Sequence, residues 1–190
     1  PHAGPAMRRG RPLRRIAPWL LLVVLGCWST KAPEPGDRDR VVRVDHLVPF
    51  GLQLPEGATE FESLKREVWF DGTVYVEYEF EAPKELELPY VFSIAERHPS
   101  SLDACLSFSA GNVGTSIAGV DVEDRDEIFQ YGDRSRYGLF VDEGRPFGLV
   151  YSMCRDKVAF TVMIGGFYID DPESARALLL PIVRQLHSLR

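Results

Sequence analysis

The side chains that could do chemistry beyond packing are few: Cys27, Cys105 and Cys154, the histidines His46, His98 and His187, and Ser116. Cys27 closes an apolar run, Ile16 to Leu25, that follows Arg8, Arg9, Arg11, Arg14 and Arg15. A charged n-region, a short h-region and a small residue beside the cut form the pattern of an export signal. The run is about half of the roughly 20 apolar residues that cross a bilayer core, so the segment is expected to be read and cut. Export places Cys105 and Cys154 where disulfides persist, and the pair reads as a bridge, with two separate buried thiols as the alternative. Neither lies in a CxxC or beside a histidine, so redox or nucleophilic chemistry is not expected of them.

Ser116 sits in Gly114-Thr115-Ser116-Ile117-Ala118, the small-x-Ser-x-small spacing of a nucleophile elbow, with His187 downstream as a base. The preceding LSFSAGNV makes a poor strand and the domain is small for a hydrolase of that kind. A small-residue loop after a helix is therefore the expected reading, and a serine hydrolase using Ser116 and His187 its rival. The three of the four histidines that follow Cys27 are far apart, with no i, i+4 pair, so no zinc site is expected. Asp121, Glu123, Asp124, Asp126 and Glu127 offer oxygen ligands, but Arg125 stands where a calcium loop needs a donor and no glycine follows. A solvated acidic loop is expected there, and Arg134, Arg136, Arg145 and Arg155 cluster nearby to pair with it or to bind an anion. No phosphate-binding glycine loop is present, and no cofactor is expected.

Val24-Leu25-Gly26-Cys27 resembles the lipobox of bacterial lipoproteins. The resemblance implies diacylglycerol on the Cys27 sulfur, cleavage before Cys27 and acylation of the new N-terminus. Each buried methylene contributes about 0.8 kcal/mol, so several acyl chains such as palmitate on one residue hold a protein to a membrane almost permanently. Trp28 stands where aspartate would resemble an inner-membrane retention signal, so the outer membrane is preferred, with the domain facing the periplasm or the surface. Arg8-Arg9 and Arg14-Arg15 raise twin-arginine export as a lesser alternative.

Of the 190 residues, 22 are Lys or Arg and 28 Asp or Glu, a formal net charge of −6. Removal of the leader takes five arginines and no acid, which leaves 17 bases against 28 acids and a net of −11. That excess argues against nucleic acid and against electrostatic adhesion to anionic lipid. The expected division is residues 1–6 as a start-site or expression artefact, 7–26 as signal peptide, 27–40 as a lipid-anchored flexible tether, and 41–190 as a single domain.

The elements that must position these residues follow from periodicity. Val42, Val44 and Leu47 predict a first strand within Val41 to Leu54. Leu64, Val68 and Phe70, then Asp71-Gly72, then Val74, Val76, Tyr78 and Phe80 in alternation predict a hairpin with a type I′ turn. Tyr90 to Ile94 is a further strand. Ser100 and Asp103 form a capping box for a short helix, weakened by Gly111, Gly114 and Gly119. Tyr137 to Val141, Phe147 to Met153 and Val158 to Ile164 predict a meander. Asp171 and Pro172 open a final amphipathic helix, with Ala175, Leu178, Leu179, Ile182, Leu186 and Leu189 on one face and Pro181 kinking or dividing it. The sum is an α+β domain: a mainly antiparallel sheet, a short helix, and a C-terminal amphipathic helix packed on the sheet. The element order, the opening Phe50-Gly51-Leu52-Gln53-Leu54-Pro55-Glu56-Gly57 and the closing Val183-Arg184-Gln185-Leu186-His187-Ser188-Leu189 resemble the PsbP-like α/β/α sandwich found in exported lipoproteins, which implies a fold and no activity. The expected function is a non-enzymatic, lipid-anchored envelope protein whose partners are the membrane and an envelope protein or small apolar ligand.

Overall fold

The computed structural model describes residues 28–117 and 121–189. Eight antiparallel strands form one sheet: β1 (Trp28–Lys31), β2 (Glu62–Trp69), β3 (Val74–Phe80), β4 (Tyr90–Arg97), β5 (Asp121–Asp124), β6 (Arg134–Asp142), β7 (Arg145–Arg155) and β8 (Val158–Gly165), in the order β1-β2-β3-β4-β8-β7-β6-β5. Helix α1 (Ser101–Ile117) leaves β4 and packs over β7, β8 and β5. Helix α2 (Pro172–Gln185) packs through Ala175, Leu178, Leu179, Ile182 and Val183 into the principal core. The two helices cover opposite faces, because successive residues of a strand point opposite ways. Cys154 carries the bridge to α1, while its neighbour Met153 joins the core cluster that holds Leu179 and Leu186. Strand β7 is accordingly buried on both sides for most of its length, whereas β3 alternates buried and half-buried residues.

The α+β, mainly antiparallel fold and the meander are as the periodicity predicts, and both helix caps are present. Ser100 Oγ accepts the Asp103 N–H at 3.2 Å, and Asp171 Oδ1 accepts that of Ser174 at 2.8 Å. Four expectations are corrected and one, at Pro181, is narrowed.

The stretch expected as a first strand is a 3₁₀ helix over Val44–Phe50. Val42, Val44 and Leu47 are buried as expected, but they cross the core face of the sheet instead of pairing along its edge. Hydroxyl groups replace strand partners there: the Val42 N–H donates to Ser93 Oγ at 3.0 Å and the Val44 N–H to the Tyr78 hydroxyl at 3.1 Å.

Residues 28–31 and 37–40, expected within a flexible tether, are structured. Trp28, Ser29, Thr30 and Lys31 pair with Trp69, Val68, Glu67 and Arg66 of β2. Asp37, in the 3₁₀ turn Asp37–Arg40, is fully buried against Arg66 and Arg40, at 2.8 Å from each. The segment is highly charged, as the tether reading noted, and Asp37 and Arg40 are turned into the domain while Lys31, Glu34, Arg38 and Asp39 stay exposed.

Helix α1 is not short. It runs 17 residues, through Gly111 and Gly114, at a local cost of roughly 1 kcal/mol per glycine that tertiary contacts and the bridge offset. Of the two outcomes expected at Pro181, division is the one removed: α2 continues from Pro172 to Gln185.

The β2–β3 turn is longer than type I′. Gly72 alone of the Asp-Gly pair has a positive φ, 86°. The Gly72 N–H donates to Trp69 O at 2.9 Å and the Trp69 N–H to Thr73 O at 2.8 Å, the signature of a type I turn closed by a glycine bulge. Phe70 is thereby moved out of the strand to the tip, where it is 80% exposed.

Candidate functional site

A groove with apolar walls lies between two independent elements. The 3₁₀ helix Val44–Phe50 supplies Asp45, His46, Pro49 and Phe50, and α2 supplies Ala177, Leu178, Pro181 and Ile182. Gly51, at φ 102°, ends the 3₁₀ helix and turns the chain away. Leu178 and Ile182 are anchored in the core, while Pro49, Ala177 and Pro181 stay exposed. Pro181 cannot donate to the Ala177 carbonyl one turn back, so the groove wall carries a backbone acceptor without its helical i+4 donor. The groove is open to solvent.

Its polar end is His46 and Asp45. Arg43 binds Asp45 through both oxygens, at 3.0 and 2.7 Å. His46 Nδ1 accepts the Arg43 backbone N–H at 3.3 Å, a role open only to an unprotonated nitrogen. Burial first, then the Arg43 cation, holds this imidazole below its ordinary 6.5, against the opposite pull of Asp45 and Asp39. The unfolded chain therefore takes up the proton at higher pH than the folded one. The His46 contribution to stability is complete above 6.5 and is lost as the pH falls from there through the lower folded value. His46→Gln is expected to flatten the fall in urea midpoint between 6.5 and the carboxylate range, and an unchanged slope would show that His46 is not its source.

The other titratable residues are engaged elsewhere. On the face of the sheet opposite the core, Lys65 and Tyr75 both bind Glu77 at 2.9 Å, and the Tyr90 hydroxyl donates to Glu79 at 3.3 Å. Burial and Glu79 push Tyr90 up to about 12. Glu96 accepts the Ser107 hydroxyl and lies 3.4 Å from His98 Nε2, so the serine is turned toward a carboxylate and not toward an imidazole. Among the described residues no group of three or more His, Cys, Asp or Glu is placed to hold a metal ion.

The acidic run is resolved into an edge strand, β5, and the turn after it, with its charges matched locally. Arg136 reaches Asp124 at 2.7 Å, Arg125 binds Glu127 at 2.5 Å, and Asp126 accepts the Tyr137 N–H at 2.8 Å. Charge on a short edge strand also discourages pairing with other chains. Of the predicted arginine cluster, Arg136 binds this run, whereas Arg155 lies over the Tyr131 ring at 5.3 Å.

Cys105 and Cys154 are bridged, with Cα atoms 5.3 Å apart. Ser116 is inside the last turn of α1, not on a strand-to-helix elbow, and His187 is exposed in the 3₁₀ turn Leu186–Ser188 beyond α2. The sheet separates the two, so the structure does not bring them together. Cys27 lies outside the described residues. The groove was not foreseen from sequence; the proline in the middle of an apolar helical face was its one local mark. No family model, curated protein or solved structure matches the chain.

Proposed function

We propose that the chain is a lipid-anchored envelope protein whose single domain is a binding module, not an enzyme. The observation that carries this reading is the arginine-rich leader and apolar run ending in Val24-Leu25-Gly26-Cys27, followed without a spacer by a strand of the folded domain. The groove between Val44–Phe50 and α2 supports a protein partner. An antiparallel sheet with a helix on each face supports the PsbP-like resemblance at the level of architecture. Labelled fatty acid is expected to enter the wild-type chain and to fail to enter Cys27→Ser; equal labelling of both would refute the anchor. The rival serine hydrolase has Ser116 and His187 on opposite layers against it. Ester or amide hydrolysis by the purified chain that vanishes in Ser116→Ala would restore that rival.

A further inference from the structure

The most exposed large apolar side chain among the described residues is Phe70, and Trp69 beside it is 42% exposed. Both sit at the tip of the β2–β3 hairpin. The turn is held stiff by three hydrogen bonds: Trp69 N–H to Thr73 O, Gly72 N–H to Trp69 O, and Thr73 N–H to Asp71 Oδ1 at 2.8 Å. The tip therefore presents its rings with little ordering left to do on contact.

Strand β1 gives this tip a neighbour. Trp28 is directly opposite Trp69, at a Cα separation of about 5 Å for paired antiparallel strands. Cys27 is the residue that precedes Trp28 in the sequence. On the lipoprotein reading, the acylated residue is therefore the immediate chain neighbour of the residue paired with Trp69.

We infer that Trp69 and Phe70 form a second membrane contact, seated in the interfacial layer of the same bilayer that holds Cys27, which sets the orientation of the domain. This inference rests on the lipoprotein reading above. The chemistry favours a bilayer: indole and phenyl rings concentrate where apolar chains meet headgroups, and basic side chains reach from there to phosphates. Two exposed bases, Arg97 and Lys157, stand at the adjoining strand ends, where Val74 is in register with Arg97 and Arg97 with Val158, and the exposed Asp71 and Asp156 balance them. The opposite end of the sheet, about 20 Å away along β3, exposes Glu81, Glu85, Glu87, Asp142 and Glu143 against Lys84 and Arg145. The acidic excess of the two ends therefore lies at the one turned from the membrane into water. An aromatic contact resolves a difficulty raised by a net charge of −11 after leader removal, because aromatic insertion does not depend on basic residues.

Trp28 and Trp69 are the only tryptophans that follow Cys27, so Trp28→Phe leaves Trp69 as the single reporter of the processed chain. The full-length gene product is processed in cells, purified from membranes, and reconstituted in phosphatidylethanolamine–phosphatidylglycerol vesicles with or without bromine on the upper acyl carbons. At interfacial depth, Trp69 emission is expected to fall to about half or less with brominated lipid, and Phe70→Asp to relieve most of that quenching. The mass of the same processed chain reports its acyl groups independently. A chain of unacylated mass overturns the lipoprotein reading and this inference with it. An acylated chain whose Trp69 emission is equal in both vesicles overturns this inference alone, including the case in which another protein, or a second copy, covers the tip.

Discussion

Replacing Cys105 and Cys154 together by alanine is expected to lower the unfolding free energy by about 4 kcal/mol. The bridge spans 49 residues, and closing a loop of that length removes this much chain entropy from the unfolded state. The closed loop contains most of α1, all of β5 and β6 and nearly all of β7, so the loss reaches three of the eight strands. Helix α1 should suffer first. It contains Gly111 and Gly114, its Leu102 and Leu106 are exposed, and the bridge ties its second turn to a strand in the sheet interior. Hydrogen exchange of residues 101–117 is expected to accelerate more than that of β3 or β4. Denaturant midpoints of wild type, wild type with reductant, and the double variant provide the check. A difference below about 1 kcal/mol would mean that the bridge stabilises little beyond the packing already present.

The second large effect is expected at Asp37. Its carboxylate is fully buried and accepts from Arg66 Nη1 and Arg40 Nη1 at 2.8 Å each, and from the Glu34 N–H at 2.7 Å. Arg66 is only 3% exposed and pairs in β2 with Val76, on the apolar side of the sheet. Surface ion pairs contribute little, but removal of one partner from a buried pair leaves a desolvated charge and costs about 3–5 kcal/mol. Asp37→Ala should fall at the lower end, because Glu34 remains at 3.1 Å from Arg66 Nη2. Asp37→Ala combined with Arg66→Met is expected to recover much of the loss, since an apolar pair of similar volume is near neutral in place of a buried ion pair. That recovery separates an electrostatic cause from simple cavity formation. A double variant as unstable as the sum of its singles would reject the electrostatic cause.

Asp37 also shows why part of the fold was hidden in the sequence. Trp28 to Arg40 is polar, proline-containing and rich in charge, which by composition describes a tether. Only the register of β1 with β2, and a buried arginine on β2 in need of a carboxylate, make it part of the domain. The 3₁₀ helix Val44–Phe50 misled for the opposite reason: its apolar residues Val44 and Leu47 are buried as their types require, but at its entry the Val42 and Val44 N–H groups donate to hydroxyls of Ser93 and Tyr78, remote in sequence. Strand β5 was concealed by acidity, because an edge strand needs only backbone pairing and its carboxylates can be matched by Arg125 and Arg136.

What the sequence determined by itself depends on near neighbours: the hairpin alternation, the caps at Ser100 and Asp171, and the amphipathic face of α2. These rest on periodicity, short-range hydrogen bonds and local composition, which are read within a few residues. Tertiary structure alone decided the strand order, the choice of face for each helix, the pairing of Trp28 with Trp69, and the groove beside Pro181. Each of those depends on contacts between residues far apart along the chain, where many arrangements satisfy the same local preferences and only simultaneous burial of Tyr78, Tyr137, Tyr151 and their neighbours selects one.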